Sequence, residues 1–157
     1  MFLKNKFLII SVLVLLTTLY IFVTYSNKSD ASINLSTTNN SVLKNGKEIY
    51  AQNCASCHGV NLEGQKNWQS RLLNGLMPAP PHDKTGHTWH HSDKYLFMIT
   101  KYGIEELIGE KYPNNMPAYK DILSDEEIIA VLSFIKSTWP SKIKTINDQI
   151  NLRSNKN

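Results

Sequence analysis

The two cysteines of this chain stand two residues apart and are followed directly by a histidine, in the run Cys54-Ala55-Ser56-Cys57-His58. At a helical turn, this spacing places both thiols along one edge of a planar ligand. Two such thiols can add across the two vinyl groups of one haem, and the adjacent imidazole can then reach the iron. The pattern therefore predicts one covalently attached haem c, held by Cys54 and Cys57, with His58 as an axial ligand.

Other uses of two cysteines fit the sequence less well. A thioredoxin-type dithiol follows a β-strand, whereas residues 43–53 have the spacing of apolar positions that is typical of a helix. A zinc site needs two more good ligands, and a structural disulfide gives no role to His58. Two cysteines are also too few for a multi-disulfide scaffold or for the four thiolates of an iron–sulfur cluster.

Met116 is the candidate for the second axial ligand, on the opposite face of the haem. It lies in a loop punctuated by prolines, and Pro117 disfavours helical backbone at Met116 itself. A thioether ligand stabilises ferrous iron and so raises the reduction potential. Met77, which also precedes a proline, and a histidine remain alternatives, although Met77 lies only nineteen residues after His58. Met98 falls within a helical pattern and is expected in the core.

The residues on either side predict helices that could hold such a haem. The run Ser-Asp-Glu-Glu at 124–127 is a capping box, and the apolar stripe that follows it stops at Pro140. Gly46 lies inside the pattern of an earlier helix, where a glycine costs helix stability. We expect the last helix to cross the first at Gly46, with Tyr50 and Phe134 packed around the crossing.

In combination, these motifs resemble the class I cytochrome c family. The similarity covers residues 42–140 and is carried by a Gly-x-x-x-aromatic first helix, the Cys-Ala-Ser-Cys-His motif, the Asn-Met-Pro loop and the Ser-Asp-Glu-Glu helix. The resemblance implies an all-α fold around one covalent haem c, with His58 and Met116 as the axial ligands. In such proteins a proline carbonyl usually orients the ligand imidazole, and Pro80 and Pro81 are both candidates.

A short segment after these prolines holds four of the five histidines, His82, His87, His90 and His91. It resembles a stretch found in a subgroup of single-haem, often membrane-anchored, bacterial cytochromes c. The histidines and the neighbouring tryptophan could pack over the haem edge or bind its propionates. Alternatively they could form a second metal site, for example for copper, which imidazole suits. Ser92 or Asp93 is expected to cap a helix that follows and ends near residue 102.

An uncharged apolar run of nineteen residues, 7–25, follows Lys4 and Lys6. As a helix it would be about 28 Å long, close to the thickness of a hydrocarbon core. A cleaved secretory signal has a shorter apolar region, and the nearest candidate cleavage site, at 29–31, is poor. We therefore predict that residues 1–26 form an uncleaved single-pass anchor, with a cleaved signal as the alternative. Both interpretations export the rest of the chain, because the two lysines keep the N-terminus in the cytoplasm.

The remaining composition divides the chain further. Residues 27–41 are rich in Ser, Thr and Asn and predict a flexible tether, and residues 141–157 predict a polar, basic, frayed tail with about one marginal helical turn. The formal charge of +4 raises the question of nucleic-acid binding. However, residues 42–140 carry ten positive and eleven negative side chains, so a basic groove for nucleic acid is not expected.

These features predict a carrier of single electrons rather than an enzyme, because an iron with both axial positions filled offers no open site to a substrate. The carrier would be tethered to the outer, periplasmic face of the bacterial cytoplasmic membrane and would move between a reductase and a terminal oxidase. One alternative is a fixed cytochrome c subunit of a larger oxidoreductase or terminal oxidase. Another is a haem-sensing or copper-binding module that uses the segment from His82 to His91.

Overall fold

A computed structural model describes residues 13–21 and 33–155 of the chain. The chain divides into two compact units, Met1–Ser32 and Ile33–Asn157. In the first unit, residues 13–21 are helical and their apolar side chains are exposed. Over the two described ranges, no helix combines the length and the hydropathy needed to cross a membrane. The other residues of the predicted anchor, and residues 27–32 of the predicted tether, lie outside the described residues.

The second unit is built from helices joined by long loops, and residues 33–155 contain an isolated bridge between Met77 and Asn114 but no strand. The all-α prediction is therefore confirmed. The helices are α1 (Asn40–Asn53), α2 (Ala55–His58), a 3-10 turn (Thr88–His90), α3 (Asp93–Tyr102), α4 (Ile104–Ile108), α5 (Asp125–Ser137) and α6 (Ser141–Ser154).

Helices α1 and α5 cross at Gly46, as predicted. A Cβ atom built on Gly46 would overlap the backbone carbonyl of Ala130 and would lie 3.0 Å from Cβ of Phe134. The rings of Tyr50 and Phe134 pack beside the crossing, with centroids 5.6 Å apart. Only glycine allows the two backbones to approach so closely, which explains a residue that otherwise weakens a helix.

The helix ends also match their predicted signals. The side chain of Ser124 accepts from the backbone N–H of Glu127, and the carboxylate of Glu127 accepts from the N–H of Ser124, which completes the capping box. Helix α3 begins after Ser92, whose hydroxyl accepts from the N–H of Tyr95, and it ends at Gly103. These caps fix the ends of α3 and α5, which form two walls of the core.

The core lies between α1, α3 and α5 and is continuous with the region around the haem motif. Its buried apolar side chains include Ile49, Tyr50, Leu96, Phe97, Tyr119, Ile128, Val131, Leu132, Ile135 and Trp139. Met98 packs against this cluster, as expected from its place in a helical pattern.

The part of the predicted tether that the structure describes is folded. Leu35 is only 4% exposed, and its backbone N–H donates to a carboxylate oxygen of Asp93 at 3.4 Å. Helix α1 then begins at Asn40, with the side chain of Asn39 as its cap. The prediction of a flexible tether is therefore wrong for residues 33–41, because Ile33 and Leu35 pack on the domain and residues 40 and 41 belong to α1.

The predicted frayed tail is instead a regular helix, α6, of 14 residues. Asn147 is fully buried, and its side-chain amide donates to the backbone carbonyls of Trp89 at 3.1 Å and His91 at 2.8 Å. The prediction of about one helical turn is wrong for residues 141–154. Polar side-chain contacts hold this helix on the domain together with a short apolar stripe, Ile143, Ile146 and Ile150, and hydropathy does not show the polar contacts.

Candidate functional site

The Cys-x-x-Cys-His motif begins where α1 ends and forms the single turn of α2. The backbone N–H groups of Cys57 and His58 both donate to the carbonyl of Cys54, at 3.1 and 2.9 Å. The side chain of Cys54 is half-buried and that of Cys57 is exposed. Burial, followed by the neighbouring charge of Cys57, raises the pKa of the Cys54 thiol to about 11.

Gly59 turns the chain away from the motif, with φ of +81°. Its carbonyl accepts a 2.7 Å hydrogen bond from the hydroxyl of Tyr50, so the turn is fixed to α1. An L side chain rarely adopts this backbone conformation, and a Cβ atom there would overlap the side chain of Glu63. The turn therefore requires a glycine at the position that follows the motif.

His58 is held by the first of the two candidate prolines. Its Nδ1 lies 2.8 Å from the carbonyl oxygen of Pro80, whereas the carbonyl of Pro81 accepts from the hydroxyl of Thr88 at 3.3 Å. A carbonyl can only accept, so Nδ1 carries the proton and Nε2 keeps its lone pair for a metal. His58 is 7% exposed, and burial lowers its pKa below the usual range.

Two cavities adjoin this imidazole. The larger has a volume of about 360 Å³ and is also bordered by both cysteines, and the smaller has a volume of about 120 Å³. Five residues line both of them: Cys54, His58, Ile99, Met116 and Tyr119. The cavities are thus two lobes around a shared wall, and that wall contains the predicted ligand pair.

Met116 is presented by a loop with its own internal hydrogen bonds. The backbone N–H of Met116 donates to Oδ1 of Asn114 at 2.8 Å, and the amide of Asn114 donates to the carbonyl of Tyr112 at 2.6 Å. Further along, the hydroxyl of Tyr119 donates to the carbonyl of Asn53 at 2.8 Å, which ties the loop to the end of α1. Hydrogen bonds therefore fix the chain both before and after Met116, which holds its thioether in place.

The alternative ligand Met77 lies in the same region but borders only the larger cavity. Its backbone N–H donates to the carbonyl of Pro113 at 2.9 Å, so its segment is attached to the Met116 loop. Met116 and Met77 are thus both near the haem motif, and Met116 alone of the two lines the wall that both cavities share.

Most of the cavity wall is apolar, and the pKa values of Tyr119, which lies in it, and of Tyr50, which is buried in the adjoining core, are both raised. Burial, with smaller contributions from the two cysteines, raises the pKa of Tyr119 to about 12. Burial likewise raises the pKa of Tyr50, with Cys54 and Glu63 contributing. Both phenols therefore remain neutral donors at physiological pH. Sequence periodicity did not single out Tyr119, although its position three residues after Met116 places it beside the ligand loop.

The histidine-rich segment does not act as one unit. The ring of His82 stacks on that of His58 with centroids 3.9 Å apart, and its Nδ1 is 2.8 Å from the hydroxyl of Thr88. His87 and His91 form an edge-to-face pair with centroids 5.2 Å apart, and both border the smaller cavity. His90 is exposed, stacks on Trp89 and borders neither cavity.

No three His, Cys, Asp or Glu side chains in residues 13–21 and 33–155 are grouped so that they could hold a metal ion. The hypothesis of a copper site in the segment from His82 to His91 therefore finds no ligand set there. The contact of His82 with His58 was also not predicted, and its place two residues after Pro80 is the signal that could have indicated it.

The residues present fit a covalently bound haem. Two thiols and an imidazole with a free Nε2 adjoin an apolar space that a thioether borders. The indole N–H of Trp89 is buried without an acceptor among the described residues, and the two carboxylates of a haem are acceptors of the kind it lacks. The donor set of soft sulfur, imidazole and thioether is one that suits haem iron.

Comparison with known proteins supports the same interpretation. The sequence model of the family described as Cytochrome c matches residues 43–139. Cytochrome c-552 of Thermus thermophilus is 33% identical over 97 residues, which are 60% of this chain and 67% of that protein. Cytochrome c-555 of Prosthecochloris aestuarii is 34% identical over 75 residues, which are 44% of this chain and 76% of that protein.

The sequence of an oxidase subunit aligns with a larger share of this chain. The Cbb3-type cytochrome c oxidase subunit CcoP of Azospirillum brasilense is 28% identical over 111 residues, which are 71% of this chain and 33% of that protein. The aligned part of a second Thermus thermophilus cytochrome c-552 is 60% of that protein. No solved structure matches the chain significantly.

Proposed function

Because the chain belongs to the class I cytochrome c family, we propose that it is a membrane-tethered carrier that moves one electron at a time between two respiratory partners. Proteins of this family bind covalently attached haem c and are electron carriers rather than enzymes. The observation that supports one-electron transfer by an iron with both axial positions filled is the wall shared by the two cavities, which brings Cys54, His58 and Met116 to one place.

In this proposal Cys54 and Cys57 form the two thioether bonds, and His58 and Met116 are the axial ligands of the iron. Haem c would supply the Fe(III)/Fe(II) couple, which accepts and returns one electron. The carbonyl of Pro80 holds the proton on Nδ1 of His58, and this hydrogen bond makes Nε2 a better donor to the metal.

Other side chains that border the smaller cavity keep the site closed to water. Ile99, Leu96 and Val131 supply apolar surface from α3 and α5, which excludes water and lowers the local dielectric. Burial of the site favours the ferrous form, which carries one positive charge fewer, and the thioether of Met116 acts in the same direction. The proposal therefore includes a reduction potential above that of a bis-histidine haem.

Replacement of Met116 tests the ligand assignment. In Met116→Ala, the loss of the thioether should lower the midpoint potential and remove the sulfur-to-iron charge-transfer band of the ferric protein. The ferrous variant should also bind carbon monoxide, because its sixth position is then open.

Met77→Ala is the matched control, since it removes the other thioether that borders the larger cavity. It should keep the charge-transfer band and a potential close to that of the wild type. If Met77→Ala loses the band while Met116→Ala keeps it, the two methionines have been assigned the wrong way round.

We also propose that residues 1–26 anchor the domain to the outer face of the cytoplasmic membrane. The support comes from the uncharged run at 7–25 behind Lys4 and Lys6. Cell fractionation followed by haem staining tests this: the haem-stained band should sediment with membranes and resist extraction by alkaline carbonate. A soluble, shorter haem protein in the periplasm would instead show that the segment is a cleaved signal.

A second candidate function is that of a fixed subunit in a terminal oxidase, and the similarity to CcoP favours it. The two functions differ in how tightly the domain is held by its partners. After mild detergent extraction, a free carrier should elute alone on size exclusion, whereas a fixed subunit should elute with other haem-containing chains. Co-elution in a constant ratio would favour the subunit over the carrier.

A further inference from the structure

The smaller cavity ends in two histidines that the proposed ligand set leaves unused. His87 and His91 both border it, whereas Cys57 borders only the larger cavity. His87 is exposed at the rim and His91 is half-buried. Cys54 lies in the wall that the two cavities share, and the pair lies on the side of that wall away from Cys57.

Haem chemistry indicates what must be near that side. The two vinyl groups and the two propionates of a haem lie on opposite edges of the macrocycle, so thioether bonds at Cys54 and Cys57 direct the carboxylates away from the cysteines. A carboxylate at the edge of an apolar cavity is costly unless it accepts hydrogen bonds. An imidazole can donate from one ring nitrogen when neutral and from both when charged.

We propose that His87 and His91 form a carboxylate-binding pair for the haem propionates, and that the charge of this pair is coupled to the oxidation state of the iron. This inference rests on the proposed function, because it requires haem attached at Cys54 and Cys57. The two histidines are positioning residues, since they act on the cofactor's edge and not on the iron.

The surroundings of the pair leave its ring nitrogens available. The ring of His87 stacks on Trp68 with centroids 5.6 Å apart, and that of His91 stacks on Tyr95 at 4.5 Å. Within residues 33–155, neither ring makes a hydrogen bond or an ion pair with another side chain. Both rings thus have neighbours against their faces and no acceptor at their edges.

The charged groups near the pair are other histidines. Burial comes first among the causes that lower the pKa values of His87 and His91, and His90 contributes to both. His82 faces His87 from the neighbouring turn, and Tyr95 faces His91 from α3. The acid on α3, Asp93, already binds Lys136, and within residues 33–155 no carboxylate forms an ion pair with either ring that would offset the charge of a protonated pair. A carboxylate brought by the cofactor would do so.

The coupling has a definite sign. A ferric haem carries one more positive charge than a ferrous one, so it disfavours protons on both imidazoles. Reduction therefore takes one electron from the redox partner and part of a proton from solvent, and oxidation returns both. By linkage, the equilibrium constant for reduction falls as the pH rises, by at most tenfold per pH unit for one proton per electron.

The double variant His87→Gln with His91→Gln tests the proposal in the full-length, detergent-solubilised holoprotein. Glutamine keeps an N–H donor but does not titrate. Equilibrium redox titrations from about pH 4.5 to 8.5, the range in which histidines change charge, should show a pH-dependent reduction equilibrium in the wild type and a flat one in the double variant. His90→Gln is the matched control, because His90 belongs to the same segment but borders neither cavity, and it should keep the wild-type dependence.

A double variant that keeps the full pH dependence, or a wild type without any, would overturn the proposal. If the double variant does not fold, NMR titration of the wild-type imidazoles in the two oxidation states gives an independent test. The pKa values of His87 and His91 should be higher in the reduced protein, and equal values in both states would refute the coupling. Purified protein without covalent haem would refute the proposed function instead, and its absorbance spectrum distinguishes that outcome.

Discussion

Lys136 is a buried cation in the last turn of α5, and its replacement should be among the most destabilising single changes in the domain. Its Nζ lies 3.1 and 3.2 Å from the two carboxylate oxygens of Asp93 and 2.9 Å from Asp148. The side chains of Lys136 and Asp93 are only 5% and 6% exposed, whereas that of Asp148 is 62% exposed. The ion pair with Asp93 therefore joins α5 to α3 away from solvent, and Asp148 adds a contact from α6.

The two pairs should differ strongly in energy. At 3.1 Å and an effective dielectric constant of about 20, the attraction between Lys136 and Asp93 is about 5 kcal/mol, while at 2.9 Å in a water-like dielectric the Asp148 pair gives about 1.4 kcal/mol before its entropy cost. Lys136→Met leaves Asp93 buried without a cation, so we expect a loss of about 3–5 kcal/mol. Asp148→Asn is the matched control and should cost about 0–1 kcal/mol.

Urea denaturation of the holoprotein, followed by far-UV circular dichroism, measures these differences. The cycle is completed with Asp93→Asn and with the double variant Lys136→Met/Asp93→Asn, in which no buried charge is left unpaired. The double variant should be more stable than the sum of the two single losses allows. A loss for Lys136→Met no larger than that for Asp148→Asn, or strict additivity in the cycle, would refute the assignment of a buried, coupled pair.

Two further predictions concern the helix crossing and the alkaline stability. Gly46→Ala adds a methyl group against the carbonyl of Ala130, so despite a gain of about 1 kcal/mol in helix propensity it should lower the free energy of unfolding by about 1–3 kcal/mol. Asn45→Ala, exposed on the same helix, should not, and equal effects in urea denaturation would contradict the close crossing. Burial raises the pKa of Tyr119 to about 12, whereas an unfolded tyrosine ionises near pH 10. The stability that the neutral phenol of Tyr119 contributes is therefore fully present below about pH 10 and is lost as the pH rises through 12. Tyr119→Phe, which also removes the hydrogen bond to Asn53, should lose less stability between pH 8 and pH 11 than the wild type, and an equal loss in the two proteins would count against this account.

The parts of the fold that could be predicted from the sequence are those with a local physical signal. The capping box at Ser124 depends on residues three apart, and Gly46 stands out because a glycine inside a helix needs a reason. The haem motif is equally local, since five consecutive residues specify its chemistry. In each case the relevant residues lie within one turn of helix, so their spacing contains the information.

The parts that could not be predicted depend on pairs that are distant in sequence. The choice of Pro80 over Pro81 for His58 depends on the path of the intervening loop, which neither proline specifies. Helix α6 has only a short apolar stripe, Ile143, Ile146 and Ile150, and Asn147 looks like any exposed polar residue until its two carbonyl partners, 56 and 58 residues earlier, are known. Ile33 and Leu35 are the two apolar residues of a polar stretch, and two residues are too few to show a period.

The contacts that were not predicted from the sequence hold one part of the fold, which is the histidine-rich segment and the start of α3. The amide of Asn147 holds the carbonyls of Trp89 and His91, and Asn151 accepts from the backbone N–H of Asp93 at 2.7 Å. Trp139 follows α5, and its indole N–H donates to the carbonyl of His82 at 2.8 Å. Each contact fixes the backbone of the histidine-rich segment or the start of α3.

A segment with only one 3-10 turn would otherwise have few internal hydrogen bonds to define it. Because Trp139 and Asn147 hold it from the C-terminal part of the domain, the rings of His87 and His91 are presented to the smaller cavity from a fixed backbone. Positioning of this kind is what a carboxylate-binding pair requires, since a hydrogen bond weakens steeply when its angle is poor. Asn147 of α6 and Trp139 therefore account for how this chain holds its own histidines, and Leu35 contributes only through its contact with Asp93 at the start of α3.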